Sequence, residues 1–508
     1  MHWFAYGIDP LLDYLDKRLT GILIHSLPLH GPSPVGAASP LPPLEVRYKV
    51  VGYADDMKPA VTSMQEFILV DSASALFERS SGCRLHRNPT SGKCKFLPLG
   101  RWRGTLAQED IPLPYMVLSD HLDMVGVELK ATITQTRKVN GDILQERIKN
   151  TIGPWQAGRF MPLTQRPWSI NSYALSKVWY KCNSIDLRTM DINTITSKVK
   201  SWLYADQLEK PEEIVLYRPA SQGGLGLHHV QSKSQAMLIR SFMETAAHPA
   251  FLHNLFHSSL YRYHVLQHRD LPDPGLPPYY SQEFFAEIRD AHLNTPMNVT
   301  TMTSRQWYTL LVEKNITMEM AEENSPQQQY IPCRAELTNP ANDWERIWLI
   351  ARSKRLGPEM ITFLWRMLHR LLPTQDRVHR IVRNTTPSPN CKLCDEETVE
   401  DLEHALLQCS FNSGIGTLLR RSLSSLAPRI SALQILTLSL DVPPTDEFPC
   451  VWLISHTLFL IWSCRVEKKR IRLFQIRADL EARASLLRET RVEENTAKIE
   501  NLIKLCFD

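Results

Sequence analysis

The spacing that most constrains this chain is Cys391-Lys392-Leu393-Cys394, followed by His404 and Cys409, a C-x2-C-x9-H-x4-C pattern. Three thiols and an imidazole are the donors that close a tetrahedral zinc site, and four protein ligands leave no position open for catalysis. A chain that closes such a site must bring a turn carrying two cysteines against the end of a helical stretch. Leu402, Ala405 and Leu406 give that stretch a packing face. The other reading of the same residues is a set of buried thiols with a capping histidine, but four candidate ligands this close in sequence seldom coincide.

The ten cysteines are thinly spread over 508 residues, unlike the dense spacing of a small secreted scaffold, and a reducing intracellular compartment is the simpler reading. Met1-His2-Trp3-Phe4 lacks a basic flank followed by an apolar core. The longest apolar stretch, Val451 to Trp462, contains His456 and is too short to span a bilayer, so neither a secretion signal nor a membrane partner is expected. With 43% hydrophobic residues the chain can bury more than one core and should be multidomain. A net charge of +4 is too small to recruit nucleic acid by itself, so any such contact must come from local clusters.

Asp9 to Leu19 reads as a short helix with Pro10 in its first turn, and the Pro-rich stretch from Leu27 to Pro43 follows it. Val46 to Tyr53 is β-branched and aromatic enough for a strand, and Thr62 to Ser80 has helical spacing. From Asp142 to Phe242 the pattern is mostly helical, Leu271 to Tyr330 reads as a connector, Asn342 to Arg383 is strongly apolar-periodic, and Val451 to Leu505 reads as a helix pair. The predicted fold class is α+β at the N-terminus and otherwise predominantly α-helical, with a small C-terminal zinc-binding module.

Within Val50-Val51-Gly52-Tyr53-Ala54-Asp55-Asp56-Met57, an apolar strand delivers two adjacent carboxylates into a turn. An isolated Asp-Asp pair most often just builds an exposed turn. Carboxylates so placed could also supply part of a Mg²⁺ shell for two-metal phosphoryl transfer.

Tyr53-Ala54-Asp55-Asp56 after an apolar strand resembles the polymerase hairpin of reverse transcriptases, and the segments that follow resemble, in order, the LINE-type, non-long-terminal-repeat branch of that family. Ser81-Gly82-Cys83-Arg84-Leu85 through Lys93-Cys94-Lys95-Phe96-Leu97 resembles the block whose lysine, here Lys93, approaches the nucleotide phosphates. Met124-Val125-Gly126-Val127 resembles the primer-grip turn, where Gly126 would allow close backbone approach. Arg166-Pro167-Trp168-Ser169-Ile170-Asn171 and Lys177-Val178-Trp179-Tyr180 resemble thumb helices. Arg218-Pro219 with Gly223-Gly224-Leu225-Gly226-Leu227 resembles a turn found after the thumb, and it is a structural turn rather than a dinucleotide loop. Phe363-Leu364-Trp365-Arg366 and Leu372-Pro373-Thr374 resemble the lead-in to the zinc-binding region.

The resemblance implies a partial palm at 1–135, thumb and connection helices at 136–265, a linker-like region at 266–340, a helical zinc-binding domain at 341–425 and C-terminal helices at 426–508. It implies Asp55 and Asp56 as catalytic magnesium ligands, and Tyr53, Lys93 and Gly126 as nucleotide or primer contacts. Cys391, Cys394, His404 and Cys409 would be structural zinc ligands. RNA and DNA would be the partners, with no oligomeric state implied.

In that family another palm aspartate precedes the hairpin, with the fingers before it. Only 54 residues precede Asp55, and Asp9, Asp13 and Asp16 sit in or beside a helical pattern. The chain is therefore expected to be a reverse transcriptase fragment that does not polymerise DNA alone, and Pro59 is expected to disturb the second hairpin strand. The alternatives are a non-catalytic remnant that holds RNA or DNA through the thumb and zinc region, and a translated relic without a selected role.

Arg366, Arg370, Arg377 and Arg380, beside Trp365, could neutralise phosphates, or could instead form a solvated helix face with Trp365 in the core. Arg465, Lys468, Lys469, Arg470 and Arg472 pose the same choice between an anionic partner and helix packing.

Overall fold

In a computed structural model, the described residues are 2–25, 45–53, 56–157, 161–204, 211, 213–247, 287–288, 290–291, 301–323, 343–382, 388–394, 397–412, 414–424, 426, 430–470, 472–489 and 493–507. They are predominantly helical, with a few short strands in a small N-terminal α+β part. The chain forms two compact units: Met1–Gly153, Ala174–Lys198 and His229–Asn315 make the first, and Pro154–Tyr173, Val199–His228 and Ile316–Asp508 the second.

In the first unit, helix α1 (His2–Arg18) precedes strands β1 (Ile22–His25), β2 (Glu45–Tyr48), β3 (Val50–Tyr53) and β4 (Asp56–Pro59), and then helix α2 (Met64–Ser81). Helix α1 begins seven residues earlier than the sequence suggests, so Pro10 lies inside it, on an exposed turn where one lost backbone bond can be made to water. The predicted single strand is two, each with its own antiparallel partner: β1 pairs with β2, and β3 with β4. The β3–β4 ladder keeps its register from Tyr53↔Asp56 to Val50↔Pro59. Pro59 lacks an N–H, but it stands at the end of the ladder, where Ala60 N–H donates to Lys49 O at 2.7 Å. Leu11 and Leu15 of α1 and Leu19 just after it pack on Val70 and Ala73 of α2 with Val50 and Met57 of the hairpin, so the hairpin rests on an apolar bed.

Further on come β5 (Lys95–Phe96) parallel to β6 (Val117–Leu118), and the hairpin of β7 (His121–Met124) with β8 (Val127–Lys130). Helices α3 (Ile133–Ile152), α4 (Ser176–Cys182), α5 (Thr189–Leu203) and α6 (Val230–Ala247) follow. Thr132 caps α3 by accepting Gln135 N–H. Asn140 of α3 ties this helix to β8, taking Glu128 N–H on Oδ1 and donating to Glu128 O, and the buried Lys181 of α4 donates to the same Oδ1 at 2.6 Å. A buried ammonium with one strong acceptor has its pKa lowered, first by burial. The stretch read as a connector contains helix α7 (Ser304–Glu323), whose Trp307 and Leu311 are buried against Ile239, Phe242 and Met243 of α6. Its apolar residues are bunched, Trp307-Tyr308 and Leu310-Leu311-Val312, rather than recurring along one face, which is why periodicity did not announce it.

The second unit is built around α13 (Pro444–Glu467), whose Val451, Trp452, Leu453, Ile454, Leu458 and Ile461 are buried. Around it stand α8 (Trp344–Ala351), α9 (Pro358–Leu368), α10 (Gln375–Ile381), α11 (Ile415–Leu423), α12 (Ala432–Thr437), α14 (Leu473–Glu489) and α15 (Glu493–Phe507). Helix α13 is long and apolar enough to cross a membrane, longer than its apolar run suggests, but 67% of its most apolar window is buried by this unit. A core helix passes the same length test. The expected terminal helix pair is three helices, because Lys468 adopts a left-handed C-cap (φ 55°) that ends α13, and α14 and α15 follow as separate elements.

Candidate metal centre

The cysteine pair lies on a loop that folds back on itself. Cys391 N–H donates to Thr398 O at 2.8 Å, Glu400 N–H donates to Pro389 O at 3.0 Å, and Asn390 bridges Val399. Leu393 N–H points at Cys391 Sγ, 3.4 Å away, as a donor suited to a thiolate. His404 and Cys409 come from the far side of the loop. Asp401 Oδ1 accepts His404 N–H at 2.7 Å, and His404 opens a π-helical turn, His404–Gln408, closed by Cys409 N–H on His404 O at 2.9 Å. In an α-helix, residues five apart point about 140° away from each other. The wider i→i+5 turn brings His404 and Cys409 to one side. Ala405 and Leu406 behind them are fully buried, which anchors the turn in the core.

The four ligand atoms lie within 4.8 Å of one another. Cys391 Sγ is 3.8 Å from Cys409 Sγ, and Cys394 Sγ is 3.4 Å from His404 Nε2. A tetrahedron with Zn–S of about 2.3 Å and Zn–N of about 2.0–2.1 Å has S···S edges of about 3.8 Å and S···N edges of about 3.5 Å. The donor set therefore fits zinc in both chemistry and size. All four positions are filled by protein, and three of the four ligands are buried, so the site is structural.

A second layer surrounds it that the sequence did not announce. Arg465, in the last turn of α13, donates through Nη2 to Glu400 Oε2 at 2.7 Å and to Cys391 Sγ at 3.4 Å, and both side chains are buried. Of the five cations read as one group near the end of the chain, Arg465 is thus turned inward. Lys468, Lys469, Arg470 and Arg472 are exposed.

The remaining predicted residues are distributed over the fold. Ala54 and Asp55 lie outside the described residues, as do the side chains of residues 51–56, Tyr53 and Asp56 among them; the strand positions of Tyr53 and Asp56 at the hairpin end are described. Lys93 is exposed, on the loop entering β5. Gly126 (φ 76°) and Val125 (φ 48°) form the two-residue turn of the β7–β8 hairpin. A cavity of about 500 Å³ lies beside this hairpin, lined by Leu97, Arg103, Asp120, Lys130, Lys138 and Asp142 among others. Lys130 is engaged there by Asp120 at 2.8 Å and Glu128 at 3.1 Å.

In the second unit Arg370 is exposed, Arg366 half-buried and Arg380 paired with Asp376 on its own helix. Arg377 is buried and donates to Arg370 O. Trp365 is in the core, donating its Nε1–H to Gly223 O at 2.8 Å, and His369 Nε2 meets the same carbonyl at 2.8 Å.

Residues 326–415 match the profile of the family described as zinc-binding in reverse transcriptase, which spans the whole Cys391–Cys409 site. This match supports a reverse-transcriptase-related protein whose segment 326–415 is similar to a zinc-binding domain of that class. No curated protein matches it.

Proposed function

We propose that this chain is derived from the reverse transcriptase of a LINE-type element and that it holds RNA or DNA through its thumb-like helices and its zinc-supported helical domain. The observation that carries the reading is the Cys₃His tetrahedron, found inside the segment related to reverse transcriptases. A closed metal site of this kind contributes folding free energy to a small domain and fixes the helices beside it. Beside them lie the half-buried Arg366, in the last turn of α9, and the exposed Arg370, in the turn after it, while the buried Arg377 holds the turn between α9 and α10 together.

The test is a pair of measurements on the purified full chain. Metal content should be one zinc per chain and should fall in Cys394→Ser; equal content in the two proteins removes the zinc centre. Affinity for single-stranded RNA and DNA should fall steeply as salt rises, and Arg366→Ala with Arg370→Ala should reduce both affinity and salt slope. Absence of binding to either nucleic acid at low salt refutes the proposed role.

A second reading, nucleotide addition, is favoured by the unbroken β3–β4 register that sets Tyr53 and Asp56 at the hairpin end. Two adjacent carboxylates, Asp55 and Asp56, are only part of a two-magnesium shell. The chain on its own is therefore expected to incorporate no nucleotide in a primer-extension assay with Mg²⁺. Incorporation that disappears in Asp55→Ala would establish a polymerase instead.

A further inference from the structure

Arg465 lies outside the 326–415 match and belongs to a different helix from any zinc ligand, yet its guanidinium is buried against one of them, Cys391. Nη2 serves both Glu400 Oε2, at 2.7 Å, and Cys391 Sγ, at 3.4 Å. Nη1 is buried with no hydrogen-bond partner. Glu400 is itself fixed: it accepts Gln375 N–H on Oε1 at 3.3 Å, and its carbonyl accepts Asp376 N–H at 3.2 Å. Three thiolates, a neutral imidazole and Zn²⁺ carry a formal charge of one negative. Glu400 adds a second. Two buried negative charges without a counter-ion are strongly unfavourable, and the ion that answers them here is Arg465.

We propose that Arg465 is a positioning residue of the zinc centre. Its guanidinium holds the Cys391 sulfur in its ligating orientation, with Glu400 fixing the guanidinium in turn, so that metal binding fastens α13 to the ligand loop. This rests on the zinc reading above. It assigns α13 a part in a site whose four ligands all lie elsewhere.

The test uses the full chain and two probes, zinc in competition with a chelator and Co²⁺ followed by its thiolate-to-metal charge-transfer band. Arg465→Met should weaken zinc binding about 10–100-fold, the range seen when a group bonded to a metal ligand is removed. It should also shift the cobalt band. The double variant Arg465→Met/Glu400→Gln separates the two roles of the arginine. If Arg465 acts on the Cys391 sulfur, the double variant stays weak; if it merely neutralises Glu400, wild-type affinity returns and the proposal falls.

Arg465→Lys keeps the charge but cannot present one planar fork to the carboxylate and the Cys391 sulfur together, so it should shift the cobalt band even where the methionine variant does not fold. An unmoved band and unchanged affinity in Arg465→Lys overturn the proposal. A wild-type chain that takes up neither metal brings down the zinc centre as well. Tight wild-type binding that is unaltered in the variants leaves the zinc centre standing and removes only Arg465.

Discussion

Gly223 occupies a position that no other residue can take without rearrangement. Its φ of +79° lies in the left-handed region, and a Cβ built there would come within 2.3 Å of Trp348 Cε2. Its carbonyl accepts from both Trp365 and His369, which satisfies both lone pairs in the core. Gly223→Ala is therefore expected to destabilise the second unit by about 3 kcal/mol, combining backbone strain with overpacking. Urea unfolding followed by tryptophan fluorescence would measure it, and a loss below about 0.5 kcal/mol would show that Trp348 can move aside. The glycine cluster is legible in the sequence as a turn. What the turn touches is not, because Trp348, Trp365 and His369 lie more than a hundred residues away and no local pattern encodes that meeting. The same limit hides Arg465: its charge is visible in the sequence, but its direction is set by Glu400 and Cys391 across the fold.

Among the elements, the β7–β8 hairpin shows local chemistry and backbone geometry in partial conflict. A two-residue turn with both central residues left-handed favours Asn-Gly, since its twist matches that of the strands. Here the pair is Val125-Gly126, and a β-branched residue at φ 48° is strained. Val125→Asn should stabilise the protein by about 1 kcal/mol by relieving that strain. Gly126→Ala should cost about 1–2 kcal/mol, because alanine must adopt φ near +76°. Thermal unfolding of the two variants would show shifts of opposite sign; stabilisation by neither would mean that the turn relaxes to another type. Gly126 was singled out in the sequence for close backbone approach, yet a Cβ there would meet only Tyr180 Cε1 at 3.4 Å, so its positive φ is the stronger requirement. The zinc turn illustrates the same point at the level of an element. The C-x2-C-x9-H-x4-C spacing names the ligands, but the π-helical turn that brings His404 round to Cys409 follows from the fold and is invisible in the spacing.

At the scale of the whole chain, the second unit joins segments that are far apart in sequence. Asn171 donates to Gly226 O at 2.8 Å and accepts His228 N–H at 3.0 Å, while Trp365 and His369 hold Gly223. Three motifs that read separately along the chain are thus bonded to one another, which a linear reading cannot supply. The unit also buries two neutral histidines. Burial pushes His369 down to about 4, with Arg352 and Arg218 adding to the effect and the bond to Gly223 opposing it. Burial likewise pushes His456 down to about 4, opposed by its bond to Trp452 O and by Asp479, with Arg483 acting in the same direction as burial. In the unfolded chain both would titrate at about 6.5. Between about pH 6.5 and 4 the unfolded state therefore binds more protons than the folded state, and linkage makes stability fall as the pH is lowered through that window. Above it the contribution is fully present, and below about pH 4 it stops changing. Release of zinc at low pH would act in the same direction, so the histidine part must be read as a difference. Zinc-loaded wild type should lose stability more steeply over this window than zinc-loaded His369→Gln/His456→Gln, whatever the absolute stability of the variant. Equal slopes in the two proteins would mean that both imidazoles can be protonated inside the folded unit, and that the aromatic stack of Trp348, His369 and Trp365 is open enough to admit the charge.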